Sequence, residues 1–213
     1  MPHQDTYPFY NAYVINVRDF LSAEKEIRRM INRSLKTGKE LNVRVNTKVY
    51  ALLYSTFSEA SFMKMILTPY GFDQVIINEI LRQENIQQKW TKCLDLAFLK
   101  FSKQSKGSEI PNKIQELEKI ITKFIIDPSV LRNKIAHGQL TIALNNKITN
   151  LNPTITKQLD TLDFVEINRW FEINKQLCSI IEDLIESPDR AHHNGYYAKF
   201  QELETYIART DNW

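Results

Sequence analysis

The chain has 213 residues, of which 43% are hydrophobic, and its formal net charge at pH 7 is +3. That apolar fraction suffices for a hydrophobic core and excludes a disordered chain, while the small positive charge permits an anionic partner without requiring one. The length predicts a single domain over residues 1–213. Since no stretch of about eighteen apolar residues and no signal-peptide pattern occurs, we expect a cytoplasmic protein without a membrane segment.

Amphipathic helices are predicted for most of the chain, because apolar residues recur at intervals of three and four between the five glycines. A short helix is expected to start at Pro128 with Asp127 as its cap, since proline lacks only an N–H that is unpaired at a helix start. The longer predicted helices cover residues 10–36, 45–68, 72–103 with a break near Asn85, 109–126, and about 163–209 in two pieces.

One segment departs from the helical period. The stretch "TIALNNKITN" alternates apolar and polar residues around Asn145-Asn146, which predicts a β-hairpin with a two-residue turn. The following "TITKQL" is interpreted as a third short extended piece. We therefore expect an all-α fold, a helical bundle with a small β-hairpin insert at about 140–160.

No motif for a cofactor or a metal is present. Cys93 and Cys178 are far apart in the sequence, which predicts two buried thiols rather than a zinc or redox centre. His192 and His193 are adjacent, so in an extended loop they point in opposite directions, and no second cluster accompanies them. Phosphate-binding, dinucleotide-binding and nucleophile-elbow motifs do not occur either. We expect neither a cofactor nor a metal.

The first predicted helix carries a row of basic residues, with spacings of four, four and three that place them on one face. Such a row is able to follow a phosphate backbone and thus to bind RNA, although a solvated helix face has the same pattern. The row consists of Lys25, Arg29, Arg33 and Lys36.

The stretch "SVLRNKIAHGQL" combines residues with a specific chemical use. Asn133 and His137 are four apart and share a helix face, whereas the longer side chain of Arg132 has to reach toward them. Gly138 is the residue type that ends a helix in the left-handed conformation. Histidine transfers protons near neutrality, and a guanidinium binds phosphate oxygens through its fork of donors. This set suits RNA cleavage by the 2′-hydroxyl without a metal.

A structural interpretation of the same stretch stays open. Arg132 fits a structural ion pair, and His137 fits a C-terminal cap, on any helical scaffold. Glu59 lies among apolar residues of the second predicted helix, where a carboxylate requires a partner, and Arg132 is a candidate for it. A glutamate at the core boundary that reaches solvent, or that pairs elsewhere, is the alternative.

The string "LRNKIAHG" resembles the signature of the HEPN superfamily, an arginine followed after four to six residues by a histidine. Arg132, Asn133 and His137 match these positions. The resemblance implies an all-α bundle that forms a homodimer, with the motifs of both chains in one cleft. It also implies a metal-independent endoribonuclease, in which Arg132 holds the phosphate, His137 transfers the proton, Asn133 orients them and Glu59 assists.

Larger bacterial members of this superfamily are often encoded in toxin–antitoxin or phage-defence loci. The resemblance therefore implies a toxin or antiviral effector, controlled by an antitoxin or a defence-system partner protein. The alternative is a catalytically inactive HEPN-like module that binds RNA or a protein and acts through dimerisation. Binding of RNA without cleavage distinguishes the second function from the first.

Overall fold

The computed structural model describes residues 6–102, 109–186 and 195–211, and the regular structure in these ranges is helical. None of the helices there combines the length and the apolarity needed to span a membrane. The α-helices are α1 (Tyr7–Lys36), α2 (Glu40–Ile66), α3 (Gln74–Leu81), α4 (Ile86–Ser102), α5 (Glu109–Ile121), α6 (Asp127–Ala136), α7 (Pro153–Thr161), α8 (Phe164–Glu186) and α9 (Tyr196–Thr210), and a π-helical segment, Thr122–Ile126, joins α5 to α6.

Helix α2 lies at the centre of the bundle. It packs against α1, α6 and α8, and α8 in turn contacts α4 and α9. The aromatic ring of Phe171 on α8 lies against Tyr50, Tyr54 and Phe57 of α2, with ring centroids 4.8–5.2 Å apart. These aromatic groups are almost completely buried and belong to a hydrophobic cluster that runs through the described helices. The prediction of an all-α fold is confirmed.

Local sequence signals set several helix ends. Gly38 has φ +63° and its N–H donates to the carbonyl of Leu35, while the N–H of Lys39 donates to Ser34, which is the Schellman arrangement. The predicted break near Asn85 is present, because the Asn85 side chain accepts the N–H of Gln88 at 2.9 Å as the cap of α4.

The predicted β-hairpin insert at about 140–160 is not confirmed. An isolated antiparallel bridge joins Leu144 to Leu151, and the described residues contain no strand. The side chains of Ile142, Ile148 and Leu151 are all exposed, so the alternating pattern buries no apolar face against which a sheet could pack.

The extended interpretation of "TITKQL" is wrong, because these residues belong to α7. Asn152 accepts the N–H of Ile155 at 3.1 Å, and Pro153 follows it at the first turn. Asparagine followed by proline is a strong helix start, and here it outweighs the β-branched composition of the segment.

The predicted break before Pro128 is also corrected. Helical backbone runs without interruption from α5 through the π-helical segment into α6. Asp127 makes no side-chain capping bond, and its own N–H donates to the carbonyl of Thr122. The predicted short helix is thus present as α6, with Pro128 in its first turn, but no break separates it from the preceding helical backbone and Asp127 does not cap it.

Candidate functional site

Arg132 is held by two side chains of α2. Its Nε donates to the Oγ of Ser55 at 2.9 Å, and its Nη2 donates to the carboxylate of Glu59. Ser55 and Glu59 are one helical turn apart on the face of α2 that contacts α6. The guanidinium thus has a fixed orientation, while its Nη1 group still carries donors that neither contact uses.

The ion pair between Arg132 and Glu59 lies at the surface. The Arg132 side chain is 30% exposed and that of Glu59 is 53% exposed. Both interpretations of Glu59 are partly correct, because it reaches solvent and also pairs with Arg132. A pair with this exposure contributes about 0.2–1 kcal/mol to stability, since water screens both charges. Substitution of either residue should therefore leave the fold intact.

His137 is the residue at which α6 ends. Its backbone has φ −91° and ψ 21°, and its N–H donates to the carbonyl of Asn133 at 3.1 Å. Gly138 follows with φ +82°, and its N–H donates to Ile135 while that of Gln139 donates to Lys134. This Schellman motif confirms the predicted helix stop at Gly138.

The side chains of Asn133 and His137 are exposed, one helical turn apart. Within the described residues, no side-chain hydrogen bond joins either of them to Arg132. The structure therefore brings Arg132 together with Glu59 and Ser55, and leaves Asn133 and His137 open to solvent on the same short helix. Among the residues that the structure describes, none makes a hydrogen bond with the His137 imidazole, so both of its nitrogens can face a ligand.

Three hydrogen bonds connect the loop after the motif to Lys134 on α6 and to Gln139 just beyond it. The Nζ of Lys134 donates to the carbonyl of Leu144 at 2.7 Å and to the amide oxygen of Asn146 at 3.2 Å. The side-chain oxygen of Gln139 accepts the N–H of Leu144 at 2.8 Å. The loop thus lies next to the end of the motif helix.

The basic row on α1 stands apart from this site. All four of its side chains are exposed, and Arg29 pairs with Glu26. Among the described residues, no hydrogen bond or ion pair joins the row to α6. Arg33 and Lys36 lie in the last turn of α1, where cations stabilise the helix dipole. The proposed contact of Lys25, Arg29, Arg33 and Lys36 with RNA stays a prediction.

Ser55 is the residue of this site that the sequence did not identify. It is buried, and its hydroxyl is the acceptor nearest to Arg132 Nε in the structure. The available signal was its position four residues before Glu59, which puts both on one helix face. A serine in an apolar helix is common, so this spacing alone is not informative.

A cleft of about 690 Å³ lies elsewhere on the molecule. Residues of α1, α2, α7 and the connection from α7 into α8 line it, among them Arg44, Asp160 and Phe164, and no residue of α6 does. No family model, curated protein or solved structure matches this chain in comparisons with known proteins. A proposal of function therefore depends on the geometry around Arg132 and His137.

In the described ranges, no three histidine, cysteine, aspartate or glutamate side chains form a group able to hold a metal, and His192 and His193 lie outside these ranges.

Proposed function

We propose that the protein is a metal-independent endoribonuclease of HEPN type with its reaction centre at the end of α6. The observation that carries this proposal is the fixed guanidinium of Arg132, held by Ser55 and Glu59, on the same short helix as the exposed His137. A phosphate-binding cation and an exposed proton-transfer group are the two chemical functions that RNA cleavage requires, and α6 carries both.

In the proposed reaction, the 2′-hydroxyl of the substrate attacks the adjacent phosphorus while the bond to the 5′-oxygen breaks. One proton leaves the 2′-oxygen and one is delivered to the 5′-oxygen, and His137 performs one of these transfers. The unused donors of Arg132 stabilise the extra negative charge on the phosphate oxygens. Asn133 orients the phosphate, and Glu59 keeps the guanidinium in place.

A homodimer is part of the same proposal. Three apolar side chains, Leu41, Val45 and Val49, follow each other at four-residue spacing on an exposed strip of α2 that continues toward Glu59. A second copy packed on this strip would bring two motifs close together and enclose an otherwise open site. Glutamate at Val45 and Val49 should then yield a monomer in light scattering, whereas an unchanged mass would contradict this interface.

The exposed strip on α2 also favours the second candidate function, an inactive module that binds RNA or a partner protein. Such a module needs the apolar surface and the cation, but it does not need His137. Retention of RNA binding in His137→Ala together with the absence of cleavage by the wild type would favour this candidate. Both candidate functions are compatible with control by an antitoxin or a defence-system partner protein.

Cleavage of a labelled mixed-sequence RNA in EDTA tests the proposal. The wild type should cut the RNA, and His137→Ala should reduce the rate by roughly 10²–10⁴-fold, the usual contribution of a general acid or base. Lys147→Ala, which alters another exposed basic residue in the neighbouring loop, should cut like the wild type. An equal rate in His137→Ala would refute the assignment.

A further inference from the structure

The π-helical segment has a direct chemical cause in the sequence. In an α-helix the carbonyl of Phe124 would accept the N–H of residue 128, but that residue is proline and has none. The ring of Pro128 would also collide with that carbonyl. The helical turn instead takes up one additional residue, and the N–H of Asp127 donates to the carbonyl of Thr122, five residues earlier.

Tyr54 supplies the missing donor. Its hydroxyl donates to the carbonyl of Phe124 from the centre of the bundle, where the tyrosine is 1% exposed. Its ring lies against Trp170 and Phe171 of α8, with centroids 5.5 and 5.2 Å away. Burial raises the pKa of the Tyr54 hydroxyl, so this group stays protonated and remains a donor. The buried carbonyl is thereby satisfied without a regular α-helix.

Two adjacent residues of α2 therefore contact the π-helical segment and α6. Tyr54 fixes the π-helical segment, and the next residue, Ser55, accepts the Nε of Arg132. One extra residue in a helical turn rotates everything after it by about 100° relative to a regular helix. The rotational position of α6 thus depends on the widened turn, and so does the direction in which Arg132 leaves the helix.

We infer that Tyr54 is a positioning residue, which together with Pro128 sets the rotation of α6 that places Arg132 on Ser55 and Glu59. This placement is a property of the protein alone. The consequence for RNA cleavage rests on the proposed function.

The experiment uses full-length protein labelled with ¹⁵N-arginine, and it measures hydrogen exchange at the Nε–H of Arg132. This N–H should exchange slowly in the wild type, because it donates to a buried serine hydroxyl. In Tyr54→Phe it should exchange at least about tenfold faster, as expected when a hydrogen-bonded group opens to solvent. The matched control is Tyr50→Phe, which also loses a buried hydroxyl on α2, one that contacts Glu24 and Asn168 rather than the π-helical segment.

A second variant guards against loss of folding. In Tyr54→Phe combined with Pro128→Ala, the restored N–H of residue 128 is able to bond Phe124, so a regular helix satisfies the buried carbonyl. This protein should keep its helical content and still show fast exchange at Arg132. Slow exchange in this folded double variant, or equal acceleration in Tyr50→Phe, would overturn the inference.

Cleavage provides the separate functional test. Tyr54→Phe should lower kcat by roughly tenfold or more with little change in KM, because a displaced group reduces the rate after the substrate is bound. Tyr50→Phe should retain the wild-type kcat. If the wild type cuts no RNA, the proposed function fails, while exchange at Arg132 still decides the inference. An unchanged kcat in a Tyr54→Phe protein with fast exchange would show that the placement of Arg132 does not control the reaction.

Discussion

The guanidinium of Arg132 pairs with the carboxylate of Glu59, which lies 73 positions earlier in the chain, and it also donates to Ser55 of the same helix. Two acceptors on one face of α2 restrict a side chain that otherwise has many rotamers. Because the ion pair is partly exposed, the fixed orientation of the guanidinium adds little to the free energy of unfolding, but it favours the binding of a phosphate. The pair therefore connects the packing of α6 on α2 to the proposed reaction.

The two contacts of Arg132 predict that lysine is a poor replacement. Arg132→Lys keeps the charge, but a single ammonium lacks the planar fork that contacts Ser55 and Glu59 together and still faces a phosphate. We expect the cleavage rate to fall by roughly 10²–10³-fold, as for the loss of one transition-state donor, with a change in unfolding free energy of at most about 1 kcal/mol. Arg82→Lys, on an exposed arginine at the end of α3, is the control. A rate for Arg132→Lys close to that of wild type would contradict the role of the guanidinium.

The glycine after the motif and a glycine in the core should respond differently to alanine. An added Cβ at Gly138 meets nothing within 4 Å, so its cost is the left-handed backbone at φ +82°, about 1 kcal/mol. At Gly71 the added carbon overlaps Ile185 and lies 2.6 Å from Thr68 Cγ2, which adds overpacking of about 1–3 kcal/mol. Urea unfolding should show the larger loss for Gly71→Ala. The reverse order would show that the turn after His137 is constrained by more than its backbone.

Both cysteine thiols should be unreactive in the folded protein. Burial raises the pKa of Cys93, and it raises the pKa of Cys178 to about 12, so the thiolate is scarce at neutral pH. An aromatic disulfide reagent that releases a coloured thiolate on reaction should label neither cysteine in buffer at pH 8 and both cysteines in urea. Rapid labelling without denaturant would mean that α4 or α8 opens locally under native conditions.

The side-chain carboxylate of Asp211, near the end of α9, should make the stability of the fold depend on pH with a known sign. Hydrogen bonds from Arg169 and Lys123 lower the pKa of Asp211 below its usual value. A lowered folded-state pKa contributes stability that is complete above the unfolded pKa, and this contribution is lost as the pH falls through the folded pKa. Asp211→Asn should therefore lower the melting temperature at pH 7, and its effect should disappear as the pH falls through the lowered folded-state pKa. The Asp211 side chain is partly exposed in its ion pairs with Arg169 and Lys123, so the loss of unfolding free energy at pH 7 should be about 0.2–1 kcal/mol.

A melting temperature for Asp211→Asn that differs from wild type equally at pH 7 and at pH 2 would exclude an ionic origin. Lys119→Ala, an exposed lysine at the end of α5, is a suitable comparison, because it removes a charge nearby without touching Asp211. It should leave the pH dependence unchanged.

Much of the fold could be predicted from local signals. The stop at Gly38, the cap at Asn85 and the stop at Gly138 are short-range features, set by backbone conformation and by one side chain each. For Glu59 the sequence left two alternatives, a pair with Arg132 and a solvent-facing carboxylate, and the structure shows both features. The helix ends depend on few residues, and therefore the sequence is sufficient to identify them.

Other features depend on distant residues and could not be predicted. The expected break at Pro128 is a π-helical segment in which Tyr54, seventy positions before Phe124, donates to the Phe124 carbonyl that proline leaves free. The predicted hairpin around Asn145 lacks strands because no helix face covers Ile142 or Ile148. Ser55 became part of the site only through the rotation of α6. In each case tertiary packing decided between local alternatives.

The most direct test of the account identifies the nucleophile and the product ends. The wild type is incubated in EDTA with an RNA that it cuts at a mapped position, and with the same RNA carrying a single 2′-deoxynucleotide 5′ to that bond. Attack by the 2′-hydroxyl should leave a 2′,3′-cyclic phosphate on the product of the first RNA and give no cut at the modified position of the second. Cleavage at the 2′-deoxynucleotide, or a product ending in a 3′-hydroxyl, would contradict it.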